Sequence, residues 1–112
     1  MDAKTINGTY GVLLEAKVSF FNAEELVIKA KIELENERTK AIATGEIVGK
    51  NPDEREAKAQ EILWPCYEAL RAAEAKERKF KLALDVAALE VERVRLLVRA
   101  EELAAADRTW GN

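Results

Sequence analysis

Residues 44–54 read Thr44-Gly45-Glu46-Ile47-Val48-Gly49-Lys50-Asn51-Pro52-Asp53-Glu54, and this stretch decides the fold because it stops one helix and starts another. Gly45 suits a left-handed C-terminal cap, and Gly49 permits the turn. Asn51 is an N-cap side chain, Pro52 takes the first helical position where no amide is needed, and Glu54 completes a capping box. Asp53, Glu54 and Glu56 complement the positive end of the new helix, each by about 0.3–1 kcal/mol. The turn is therefore placed at 44–52, between two helical segments.

Upstream, apolar residues recur by seven: Leu13, Phe20, Val27, Leu34 and Ala41, with Ala16, Ala23 and Ala30 falling three after the first three. This is a heptad seam, and its alanines allow a neighbouring helix to approach closely. Helix 1 is expected at about 10–43, after a loose arm at 1–9 that contains Asn7-Gly8. A strand-like alternation of Leu14, Ala16, Val18 and Phe20 with Glu15, Lys17 and Ser19 leaves a second reading, in which helix 1 begins only at Ala23. The unbroken heptad through Leu13 and Phe20 favours the longer helix. A separate stripe of Leu14, Val18, Phe21, Ile28 and Ile32 is parted from the seam by Lys17, Glu24, Lys31 and Arg38, so helix 1 faces two neighbours.

Downstream, helix 2 is expected over about 53–106, kinked or broken near Pro65, with a tail at 107–112. Steps of four and three give Cys66, Leu70, Ala73, Glu77, Phe80, Leu84, Ala87, Val91, Val94 and Val98, a seam that is apolar but for Glu77. Nearly opposite lies a second row spaced by seven, Leu82, Leu89, Leu96 and Leu103. One antiparallel partner cannot cover both rows. The expected fold is thus all-α: a coiled-coil helical hairpin whose seam joins Leu13, Phe20, Val27 and Leu34 to Leu84, Val91 and Val98. Its leucine row at 82, 89, 96 and 103 would assemble copies into a homo-oligomeric bundle.

Composition narrows the function. The 112 residues are 35% charged and 48% hydrophobic with one cysteine and no histidine. Without histidine, the commonest general base near neutral pH and the commonest metal ligand are both absent, and no carboxylate pair is marked out as an acid/base dyad. No catalytic residue, cofactor or metal site is expected. Cys66, on the main seam with no histidine to activate it, reads as a buried small hydrophobe. The single cysteine and the opening Met1-Asp2-Ala3-Lys4, which is no export signal, point to a reducing intracellular compartment; no run is apolar enough for a membrane span.

The net charge of −3 gives no general attraction to nucleic acid, and Pro65 divides no hidden basic half from the rest: residues 1–65 carry 9 Lys+Arg against 12 Asp+Glu, and residues 66–112 carry 9 against 9. Arg78, Lys79 and Lys81, followed by Arg95 and Arg99, are a candidate phosphate-contact set. Intrahelical partners such as Glu74 for Arg78 and Glu77 for Lys81 make a solvated, ion-paired helix face the stronger reading. Gly49-Lys50-Asn51 opens a helix but lacks phosphate-loop spacing and a preceding strand.

The turn Gly45-Glu46-Ile47-Val48-Gly49-Lys50-Asn51 followed by Arg55-Glu56-Ala57 resembles that of small coiled-coil proteins of temperate phages and prophages, with the pattern G-x-I-x-G-K-N-x-x-x-R-x-A. Leu84 through Arg93 and Leu96-Leu97-Val98-Arg99 are similar to that family's second helix. Trp64-Pro65 departs from the pattern. The resemblance implies a phage or prophage origin and the cytoplasm of a bacterial host, and it brings no catalytic residues. The expected role is a scaffold, adaptor or modulator acting as a homo-oligomer, with a protein partner. The alternatives are an accessory DNA- or RNA-binding protein of phage replication or recombination, and an inhibitor of a host defence protein.

Overall fold

The computed structural model describes the backbone of residues 1–110 and the side chains of residues 1–108. Among these the chain is all-helical: α1 spans Ala3–Ala43, α2 Pro52–Ile62 and α3 Trp64–Trp110. Residues 12–21 lie within α1, which excludes the strand reading.

Helix α1 starts earlier than the expected arm at 1–9 allows. Asp2 caps it: its Oδ1 accepts the Thr5 amide at 2.8 Å, and its carbonyl accepts the Ile6 amide at 3.2 Å. The Thr5 amide first, and its hydroxyl second, hold the Asp2 carboxyl below its ordinary pKa. That contribution is fully present above the ordinary carboxyl pKa and fades as pH falls through the lowered folded value. Gly8 and Gly11 therefore lie inside the helix, where an added methyl would meet nothing within 4 Å.

The far end of α1 closes in a Schellman motif. Gly45 adopts φ +78°, its amide donates to the Ile42 carbonyl at 3.1 Å, and the Glu46 amide reaches back to Ala41 at 2.9 Å. At the start of α2, Asn51 is extended (φ −143°, ψ 168°), and its side chain accepts the Glu54 amide at 2.9 Å. The Glu54 carboxylate reaches one residue beyond the usual capping box and accepts the Lys50 amide at 2.7 Å.

The break after α2 falls at Leu63, two residues before the proline. Pro65 has no amide to offer the carbonyl of Glu61, four residues earlier, and its ring crowds the preceding turn. Leu63 adopts φ −95°, ψ 14°, yet hydrogen bonds run through it: its amide donates to Ala59 at 2.8 Å and its carbonyl accepts Tyr67 at 3.0 Å. The segment expected over about 53–106, kinked or broken near Pro65, is thus two separate helices, and the second runs past the expected boundary at 107 to Trp110. The last two positions of the expected tail, 111–112, lie outside the described residues.

Two compact units share these helices. The first holds Met1–Phe21 and α3 from Lys79 onward. There α1 and α3 run in opposite directions: the N-terminal ammonium meets the Glu101 carboxylate at 2.5 Å, and the Lys81 ammonium lies 5.7 Å from the centre of the Phe20 ring. Ala87, Val91 and Val94 are buried, while Leu13, Phe20, Leu84 and Val98 are half-buried. The second unit spans Asn22–Arg78. Its α1 residues Ala23, Val27, Leu34 and Ala41 are buried, and Leu34 forms a core with Ala59 and Leu63. Ile47 from the turn and Ile62, Cys66, Tyr67 and Leu70 pack around that core.

Candidate interaction surface

The turn has the residues of an anion site but uses its donors internally. The Lys50 and Glu54 amides are taken by the Glu54 carboxylate and the Asn51 side chain, and the Arg55 guanidinium donates to the Gly49 carbonyl at 3.3 Å. With a carboxylate already lying over the first turn, Gly45, Gly49, Asn51, Pro52 and Glu54 act as caps and leave no cradle for phosphate. Gly49 has a different task from the one its sequence context implies. Its φ is not positive; instead, a Cβ there would lie 2.8 Å from the Glu54 Cβ and 2.9 Å from the Arg55 nitrogen.

Arg38 was not marked out by sequence spacing as a tie between helices. Its guanidinium bonds the Tyr67 hydroxyl on α3 and pairs with the Glu56 carboxylate on α2 at 3.5 Å, so one side chain links three helices of the second unit. Its Nε is buried without an acceptor. Both partners are remote in sequence, so no helical periodicity could place them together.

Cys66 is half-buried beside that core. Burial pushes its thiol pKa up, and the Glu33 and Glu37 carboxylates add to the effect. This favours the unreactive thiol, the opposite of what a nucleophile needs. Trp64 is exposed, with the Arg71 guanidinium 4.7 Å from its ring centre. No group of three or more metal-binding side chains occurs among the described residues, and no helix there is long and apolar enough to cross a membrane.

The basic residues of the first unit are interleaved with acidic partners. Lys81 pairs with Asp85 at 3.0 Å and Arg95 with Glu92 at 3.7 Å. Arg99 borders a groove that also contains Ile6, Tyr10 and Glu102. Arg78 belongs to the second unit and Lys79 to the first. Acidic residues alternate with these cations along α3, so the field that a phosphate backbone would meet is mixed.

Large apolar side chains also stand uncovered. Leu82, Val86, Leu89, Leu96 and Leu103 on α3 are 65%, 57%, 71%, 61% and 58% exposed. Taking about 100° per residue, this row points away from the buried Ala87, Val91 and Val94 on the same helix. On α1, Leu14, Val18 and Phe21 are exposed in the first unit, and Ile28 and Ile32 in the second. Arg93 stands within the α3 row and binds Glu90 through two hydrogen bonds of 2.5 and 3.0 Å, which hold the Glu90 carboxyl below its ordinary pKa. No known protein family, curated protein or solved structure matches the chain.

Proposed function

We propose that this chain is a non-enzymatic structural or interaction protein: a coiled-coil helical hairpin that acts as a homo-oligomer and serves as a scaffold, adaptor or modulator. One observation carries the reading. Among the described residues five large apolar ones are buried, Val27, Leu34, Leu63, Val91 and Val94, whereas eighteen stand exposed, including the whole α3 row. Burying a leucine contributes roughly 1.5–3 kcal/mol, so a row of four favours association strongly. Isolated apolar residues on a surface are ordinary; a row repeating every seven positions along one helix face is the pattern of a helix awaiting another helix.

The internally satisfied turn, the raised thiol pKa and the exposed, scattered carboxylates all support an interaction role over catalysis. The likeness of the turn to that of small phage coiled-coil proteins agrees with it. Light scattering tests the reading: the wild type is expected to have the mass of more than one chain, and replacing Leu89 and Leu96 with glutamate should lower that mass. A wild type with the mass of one chain at high concentration, or a double variant with unchanged mass, would overturn it.

A further inference from the structure

We propose that the outward face of α3 is closed by the same face of a second copy running antiparallel and centred on Val91, so that Asp85 of each chain meets Arg99 of the partner subunit. This rests on the self-association proposed above and adds its orientation and register.

Steps of four and three along the exposed row give Leu82, Val86, Leu89, Arg93, Leu96, Ala100 and Leu103. These are three heptads of core positions, about 32 Å long at 1.5 Å per residue. Arg93 is the charged member, and the residues flanking the row are Asp85, Glu92 and Arg99 on one side and Ala83, Glu90 and Leu97 on the other. These charges decide the orientation. In a parallel pair, equivalent core positions stack, so each Arg93 would meet its own copy inside the apolar seam. The flanking positions would set Asp85 against Glu90 of the partner subunit twice.

Antiparallel pairing about Val91 removes both conflicts. Arg93 lies across from Leu89 of the partner subunit, and Val86 faces Leu96. Asp85 meets Arg99 twice, and Ala83 meets Leu97 twice. At the ends, the aliphatic stem of Lys79 covers Leu103 while its ammonium stays in water. Near the two-fold axis Glu90 and Glu92 each approach their own copies, but Glu90 is already bound to Arg93 and Glu92 pairs with Arg95 on the same chain. Sliding the partner by one heptad is worse in either direction. One shift sets Asp85 against Glu92; the other exchanges the Asp85–Arg99 pairs for Glu92–Arg99 pairs but lays Leu82 on Asp107 within the core and leaves Asp85 opposite Ala106.

A charge-reversal cycle on the full chain tests this, with dissociation constants from sedimentation equilibrium. The wild type is expected at the mass of two chains. Asp85→Arg and Arg99→Asp should each weaken the dimer by about three- to tenfold, and the double variant should return to within about twofold of wild type. Asp85 also pairs with Lys81 in its own helix; the cycle cancels that loss, and helicity by circular dichroism monitors it. Should either variant lose helix, Asp85→Lys with Arg99→Glu repeats the cycle with different side chains. Tighter association of Asp85→Arg indicates the parallel pair and overturns the inference. A double variant no tighter than the two singles combined, or a mass above two chains, overturns it as well. In these cases self-association itself stands, whereas a wild type of one-chain mass removes the broader reading.

Discussion

At the scale of the residue, the two glycines of the turn are retained for different reasons. Gly45 sits at φ +78°, which an L-residue adopts only with strain, but a methyl there would meet nothing within 4 Å. Gly49 has no positive φ and no room: its added Cβ would press on the Glu54 Cβ and the Arg55 backbone. Gly45→Ala should therefore cost about 1 kcal/mol. Gly49→Ala should cost about 1–3 kcal/mol, because the obstruction includes backbone that cannot step aside. Urea denaturation of both variants ranks them, and a smaller loss at Gly49 would contradict the steric account. Sequence pattern marks both glycines as turn residues, but only the folded loop shows the close approach at Gly49. The same holds for Arg38, whose bonds to Tyr67 and Glu56 join residues that no local spacing connects.

At the scale of the element, the heptad makes the inner face of α1 legible: Val27, Leu34 and Ala41 are seven apart and all buried. The N-terminus of the same helix was not legible. Asn7, Gly8 and Gly11 are weak helix formers, and Asp2-x-x-Thr5 lacks the glutamate of a full capping box. The start at Ala3 follows from the Asp2 cap and the half-buried Ile6, one held by local hydrogen bonds and the other by packing. If so, Gly8 and Gly11 weaken α1 without any packing return. Replacing each with alanine should raise stability by about 0.5–1 kcal/mol, partly by narrowing the unfolded ensemble. A higher urea midpoint for each variant is the expected result, and a lower one would mean that the methyl meets something. The break before α3 shows the reverse case. Pro65 announced it, and the irregular residue fell at Leu63 because a proline acts on the turn that precedes it.

At the scale of the whole molecule, the described chain buries no polar or charged residue, and four of its nine buried residues are alanine. Alanine lets helices approach but offers little area to hide, so the apolar content that would complete a core lies on outer faces instead. The two-sided patterning was visible in sequence because helical periodicity assigns every residue to a face. What covers the second side was not, because periodicity says which way a row points and nothing of what meets it.

The doubly capped turn also bears on how the protein folds. All of its bonds, from the Schellman pair to the reach of Arg55 to Gly49, span six residues or fewer. Closing so short a segment costs little chain entropy, so the turn can form before distant partners meet and serve as a nucleus. Asn51→Ala is then expected to slow refolding nearly as much as it destabilises, while Val94→Ala should act mainly by hastening unfolding. Stopped-flow rates for the two variants measure this directly, and the opposite partition would place the nucleus elsewhere. On this account the stretch that divides the helices is also where their order in time begins: a nascent bend comes first, and long-range apolar contacts follow it.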